Sequence, residues 1–207
     1  MAVDDELEAP VDGRRARGER TRLRVLEALL ALVEEGEFRP TAQEVAARAG
    51  VALRTVYHHF EDVEALRHMA LDLQMGRHRE MLHEVDPDLS LAERINTVTR
   101  QLRRLFEAIT PIRRATLFDE HTSNEIAQGL RHSRALRRSY LERAFAPELS
   151  LATGDRKVLL DAIDVATSWQ TWHSVRNGLG RSANAAERVL SFTLLELLDP
   201  SAGRRSG

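Results

Sequence analysis

Residues Thr41 to Phe60, TAQEVAARAGVALRTVYHHF, decide how this chain is read. Thr41 followed three residues later by Glu44 is a capping box, in which the two side chains satisfy each other's exposed backbone amides and start a helix. Val45, Ala46 and Ala49 recur at helical spacing and give that helix a small inner face. Gly50 then enters a left-handed turn at no steric cost. A second short helix runs from about Leu53 to His59, with Val51, Val56 and Phe60 as its inward anchors. Two short helices touching through small side chains at a glycine turn make a helix-turn-helix. Its second helix keeps one side on the domain and offers the other to the DNA major groove. Leu53, Arg54, Thr55, Tyr57, His58 and His59 remain outward, a set able to donate hydrogen bonds to phosphates and base edges.

The flanking residues extend the pattern. Upstream, Leu23, Leu26, Leu29, Leu30 and Val33 mark one helical face from about Gly18, which Gly36 and Arg39-Pro40 bring to an end. Residues 1–17, with Pro10, Gly13 and a run of arginines, read as a flexible basic arm. Downstream, a long fourth helix begins near Asp62. Ser90 and Glu93 form a second capping box, opening a helix that Pro111 is expected to break, with a short helix from Ile112 to Asp119 after it. Further helices are expected over 124–145, closed by Pro147, over 155–177 and over 183–198. The fold class is all-α: a three-helix helix-turn-helix domain over 18–62, then a helical bundle over 63–207, about nine helices in total.

At this density of matches the segment from Gly18 to Leu66 resembles the DNA-binding domain of the TetR family of bacterial transcriptional regulators. The matching residues are Thr41, Glu44-Val45-Ala46, Ala49-Gly50-Val51 and Thr55-Val56-Tyr57-His58-His59-Phe60. The resemblance implies that Tyr57 and His59, with Thr41 and Gln43, hold backbone phosphates. It implies that Ala52, Leu53, Arg54, Thr55 and His58 face the groove, with Arg54 reading a base. One position departs: the family usually has a lysine where this chain has Val63, and Glu61 and Asp62 stand beside it. The remainder of the chain matches the family in layout, which implies a ligand-sensing, dimer-forming domain. The expected partners are a double-stranded DNA operator, a second copy of the chain and a small-molecule effector; the expected function is a ligand-responsive repressor on a pseudo-palindromic operator. The alternative is a helical small-molecule-binding or scaffold protein whose DNA-reading face has decayed, supported by Glu61-Asp62-Val63.

Composition narrows the rest. The net charge of −2 carries no basic signature, but DNA feels only the face presented to it. The absence of cysteine excludes disulfides, thiol redox chemistry and cysteine metal sites. No stretch has the length and apolarity of a membrane span, and the N-terminus lacks an apolar signal core, so a cytoplasmic protein is expected. No phosphate loop, zinc-protease or serine-hydrolase motif is present, so no enzyme, cofactor or metal is expected. Phe106, Phe118, His121, Tyr140, Trp169 and Trp172 are candidates for a mostly apolar ligand pocket, against core packing, which is favoured for the two tryptophans. His121 and Glu125 could share a metal, but two ligands alone are weak. The last helix, with Ala186, Val189, Leu190, Thr193, Leu194 and Leu197, is expected to form a dimer seam with the helix before it.

Overall fold

The computed structural model describes residues 9–199 except 118, 122 and 153, and every regular element in it is helical. Its α-helices are α1 (Ala9–Glu34), α2 (Ala42–Ala49), α3 (Leu53–His59), α4 (Val63–Arg79), α5 (Leu91–Ala115), α6 (Asn124–Ala144), α7 (Ala146–Leu151), α8 (Arg156–Ala166), α9 (Trp169–His173) and α10 (Ala183–Leu198). A 3-10 turn covers Asp119–His121, and α9 runs on into a π-helical segment, Ser174–Gly178. The chain forms two compact units. One holds residues up to Gln74 together with Pro111–Ile126; the other holds Met75–Thr110 together with Ala127 onward. A linear reading with its boundary at Asp62 does not contain that non-contiguous grouping.

In the first unit α1 packs on α2 and α3, and α2 packs on α3. The buried side chains are those the periodicity marks: Val25, Leu26, Leu29, Leu30 and Val33 on α1, Val45, Ala46 and Ala49 on α2, then Val56 and Phe60. Leu23, counted as inward from spacing, is 41% exposed at the edge of that face. The helix begins earlier than Gly18: α1 takes in Ala9 to Arg17, so the backbone of the second half of the expected arm is helical. Proline is tolerated in a first helical turn, where its missing N–H has no intrahelical partner to lose.

The second unit closes around one apolar cluster. Ile95, Val98, Leu102 and Phe106 come from α5, Tyr140, Leu141 and Ala144 from α6, and Leu160 and Ile163 from α8. Trp169 and Trp172 of α9, with Ala186, Leu190, Leu194 and Leu198 of α10, complete it. Burying each of the larger side chains contributes about 1.5–3 kcal/mol. Arg94 is buried with them and fully engaged. It donates to Leu89 O at 3.1 Å and Ala144 O at 2.8 Å, and pairs with both Glu148 carboxylate oxygens. Losing one partner of such a buried pair costs about 3–5 kcal/mol, because the other charge is left uncompensated.

Three sequence expectations are corrected. Pro111 does not break α5, which runs through it to Ala115. The turn beyond it buries Ile112 and Ala115, and that burial holds the helix together across a proline that by itself costs about 3 kcal/mol. Pro147 does not merely close α6; it sits in the first turn of α7. The expected helix over 155–177 is interrupted at Thr167–Ser168. Thr167 turns its hydroxyl back to Ile163 O at 2.7 Å, and Ser168 caps α9 by accepting from Thr171 N at 3.1 Å. The basic face of α6 is also partly neutralised: Arg137 donates to Asp164 at 2.7 Å and Arg138 to Asp161 at 2.5 Å, tying α6 to α8.

At the turn between α2 and α3, Gly50 has φ 64 and ψ 40, and the Val51 amide donates to Ala46 O at 3.0 Å. No atom lies within 4 Å of the position a Cβ would take at Gly50, so a substitution meets backbone strain alone. Gly50→Ala should therefore lower stability by about 1–2 kcal/mol, read as a reduced midpoint in urea with helix content unchanged.

Candidate nucleic-acid interface

The reading helix α3 is seven residues long, too short to persist without packing. Val56 and Phe60, one turn apart and both buried, pin one side of it. The opposite side is then fixed by geometry. Leu53 is 41% and Tyr57 51% exposed, and Arg54 and His58 are exposed on the same side. Leu53–Tyr57 and Arg54–His58 are spaced one turn apart, so the four form a single outward stripe. Thr55 and His59, also one turn apart, are half-buried on the flank. The structure therefore brings the predicted readout residues together, with an arginine and a tyrosine at the centre.

The start of α2 is equally well defined. Thr41 Oγ1 accepts from Glu44 N at 3.3 Å, and Glu44 accepts from Thr41 N at 2.8 Å, so both halves of the capping box are formed. These hydrogen bonds hold the Glu44 carboxyl below its usual range. Gln43 is exposed beside them. At the other end of α2, Arg48 makes two bonds to Glu35 at 2.7 and 2.5 Å, linking α2 to the end of α1.

One feature was not read from the sequence. Arg22 of α1 sits 5.9 Å from the centre of the Phe60 ring and donates to Met69 Sδ at 2.9 Å, spanning the end of α3 and the body of α4. An amphipathic arginine on a helix face gives no signal of this in a linear pattern. Asp62 caps α4, as an acidic residue at the start of that helix should: its carboxylate accepts from Ala65 N at 2.7 Å. The acidic charge that seemed to oppose DNA is thus directed at a helix N-terminus, where it is favourable.

His59 lies against Gly18 and edge-on to His58, with ring centres 5.2 Å apart. Burial, then the neighbouring His58 and Arg22 charges, hold its pKa below the ordinary imidazole range, against a smaller opposing effect of Glu19.

The pocket candidates divide. Phe106, Tyr140, Trp169 and Trp172 are all buried in the core of the second unit. Phe106 and Trp172 pack at 6.0 Å between ring centres, and Trp169 stacks on His173 at 4.6 Å. Their polar atoms are satisfied within the protein: Tyr140 OH donates to Gln101 Oε1 at 3.2 Å and Trp169 Nε1 to Thr110 Oγ1 at 3.1 Å. Burial pushes the Tyr140 hydroxyl pKa well up. His121 is exposed in the 3-10 turn and belongs to the first unit; Phe118 lies outside the described residues. Among the described residues no cluster of three or more metal-ligating side chains exists, and no helix is long and apolar enough to cross a membrane.

Residues 25–69 match the family model of bacterial regulatory proteins, tetR family. Among solved structures, the chain is similar to a transcriptional regulator from Rhodococcus sp. Rha1, with a TM-score of 0.66 at 19% identity, covering 87% of this chain and 95% of that one. It is similar to GusR of Salmonella enterica, with a TM-score of 0.63 at 16% identity, covering 94% and 99%. It is similar to a TetR transcriptional regulator from Rhodococcus sp. RHA1, with a TM-score of 0.52 at 22% identity, covering 88% and 97%. At these identities the likeness is one of fold. No curated protein sequence matches the chain.

Two measurements follow from the stripe. Arg54→Ala should relax the preference at one base position, by about 1–3 kcal/mol, whereas Tyr57→Phe should weaken all duplexes alike, since phosphate contacts carry no sequence information. Binding profiles on a randomised duplex pool distinguish the two, and an unchanged profile for Arg54→Ala removes it from the readout. The second concerns pH. The folded protein disfavours protonated His59, so its contribution to stability is complete above the ordinary imidazole pKa of about 6.5 and is eroded as pH falls below it. A phosphate beside His59 reverses the preference, so DNA binding takes up protons and affinity rises on acidification from pH 8 to 6. His59→Gln should flatten that slope in fluorescence anisotropy; an equal slope would separate His59 from the phosphates.

Proposed function

We infer, from the premise that this chain is a DNA-binding regulator whose residues 25–69 are those of the tetR family of bacterial regulatory proteins, that it acts as a ligand-responsive repressor binding a pseudo-palindromic operator as a homodimer. The single observation that carries the DNA-binding half is the outward stripe Leu53, Arg54, Tyr57 and His58 opposite buried Val56 and Phe60. Thr41, Gln43, Thr55 and His59 flank it as phosphate and groove contacts. Such a chain works where the chromosome is, in the cytoplasm, and needs no catalytic group. The decayed-face alternative keeps only exposed Glu61 and the departure at Val63 as support, because Asp62 is engaged as a cap.

One seven-residue helix reaches only a few base pairs, so operator affinity calls for a second, symmetry-related copy about one helical turn of DNA away, roughly 34 Å. The surface for that copy is supplied by α8 and α10, which pack on each other. Both leave large apolar side chains outside the core: Val158 at 62% and Val165 at 67% on α8, and Phe192 at 64% on α10 beside Val189 and Leu195. Val189 and Phe192, with Ala185, Arg181 and Arg188, line an open groove of about 370 Å³. Two such helix pairs would bury these residues in a four-helix seam. The seam differs in its residues from the one the sequence suggested. Ala186, Leu190 and Leu194 are wholly buried in the chain's own core.

The effector half rests on the second unit. Phe106, Tyr140, Trp169 and Trp172 are packed together there, and a ligand entering among them would have to take over the Tyr140 hydroxyl from Gln101 or the Trp169 indole from Thr110. A ligand acts by preferring one of two states of the protein, and DNA affinity then changes by that preference.

Selection from a random duplex pool should return an inverted repeat; a motif without twofold symmetry would contradict the dimeric reading. Phe192→Glu should give a folded monomer by light scattering with much reduced operator affinity. Leu194→Glu should instead fail to fold, since its charge would be buried unpaired. A dimeric Phe192→Glu with normal DNA affinity would place the interface elsewhere.

A further inference from the structure

Helix α1 reaches well past the part of it that is packed. Among the described residues its buried side chains begin at Val25, and from Gly13 to Arg20 every residue is exposed except half-buried Gly18. Gly13 and Gly18 stand inside this stretch, and each weakens a helix interior by about 1 kcal/mol. Neither packing nor propensity accounts for the extension, and its distinguishing property is charge. Between Gly13 and Arg24 stand Arg14, Arg15, Arg17, Arg20, Arg22 and Arg24 against Glu19 alone.

These arginines divide between two sides of the helix, and His59 orients them. His59 Cε1 lies 4.0 Å from the position a Cβ would take at Gly18. One turn on, Arg22 lies over the Phe60 ring and donates to Met69 of α4. The line of α1 through Gly18 and Arg22 therefore faces the junction of α3 and α4. Arg15 is seven residues before Arg22, a spacing that drifts by only about 20° around a helix, and Arg14 is one turn before Gly18. Both continue that line beyond His59. Residues two apart on a helix do not share a face, so Arg20 and Arg24, two either side of Arg22, stand away from the junction. The junction itself is acidic: Glu61, Asp62, Val63 and Glu64 follow Phe60, and Glu61 and Glu64 are exposed. A duplex with α3 in its major groove carries a strand of phosphates past the end of α3, where Tyr57 and His59 lie. Arg22 is held by Phe60 and Met69, whereas Arg14 and Arg15 extend into solvent on the same side.

We propose that the N-terminal extension of α1 is a second DNA-contacting element, in which Arg14 and Arg15 bind the phosphate strand that runs past His59 and offset the acidic start of α4. This rests on the reading of α3 as a major-groove helix. Phosphate contacts carry no sequence information, so the extension adds affinity on every duplex and leaves the choice of bases to α3. Because the two guanidinia ride on a helix continuous with the packed part of α1, they keep a fixed offset from α3 and also set its register along the groove.

Anisotropy titrations of the full chain test this, on the duplex it selects from a random pool and on a scrambled duplex, over about 50 to 200 mM salt. Arg14→Gln with Arg15→Gln removes two charges from the α3 side of α1. Arg20→Gln with Arg24→Gln removes two from the other side and serves as the control of equal charge. All four side chains are exposed, so circular dichroism should match the parent in both variants. The first pair should weaken Kd by roughly fivefold or more on both duplexes, with their ratio unchanged, and lower the slope of log K on log salt by about one per contact removed. The control pair should leave Kd within about twofold. Ethylation of the phosphates beside the α3 footprint should interfere with binding of the parent and not with binding of the Arg14, Arg15 variant. Equal losses from the two pairs, no loss from the first, or an unchanged interference pattern would each overturn the proposal while the DNA-binding reading stands. If the parent chain selects no duplex, that reading fails and the extension's role falls with it.

Discussion

Burial of Val56 and Phe60 is the constraint on which the DNA-reading surface depends. A seven-residue helix has room for one anchoring stripe, and once that stripe is buried the identity of the outward side chains is no longer free. The rest of the first unit serves this placement. The small residues of α2 let α3 approach, Gly50 sets the angle between them, and the capping box fixes where α2 begins. Arg22 adds a contact across the Phe60 ring and Asp62 starts the next helix, so the C-terminal end of α3 is held by neighbours. Rigid presentation matters because base readout depends on the geometry of a few hydrogen bonds.

The second unit has a different physical character. Its core is aromatic and aliphatic, but several polar groups are buried within it and satisfied by specific partners: Arg94 by Glu148, Tyr140 by Gln101, Trp169 by Thr110. Satisfied buried polar groups of this kind specify one arrangement of the core. The apolar residues left outside, Phe192, Val165 and Val158 above all, are those that the proposed seam with a second copy would cover.

How much of this was legible in the sequence depended on how local the determining physics is. The capping box and the left-handed Gly50 are set within a few residues, and they appear where the pattern put them. The face of α3 followed from Val56 and Phe60, although Leu53, apolar and in register with them, is exposed. The stripe on α10 was less readable. Ala186, Leu190 and Leu194 alternate with Val189, Phe192 and Leu195 around a helix that is apolar on most sides. Which of the two stripes faces inward is decided by helices far away in the chain, and periodicity does not carry that information. Pro111 misled for a related reason: a local rule ends the helix there, while burial of Ile112 and Ala115 carries it onward. The interruption at Thr167–Ser168 left only a weak trace, two hydroxyl residues in a run of helix formers. The partnership of Arg22 with Phe60 left none, because an arginine over a ring is a tertiary event.

The central claim is that α3 enters the major groove, stripe first, twice per bound duplex. Dimethyl sulfate protection reads it most directly, because guanine N7 lies in the major groove and adenine N3 in the minor groove. Bound protein should protect guanine N7 in two patches separated by about one turn of DNA, and replacing Arg54 with alanine should unmask a guanine in each. Protection confined to adenine N3, or a single patch with no symmetric counterpart, would contradict the account.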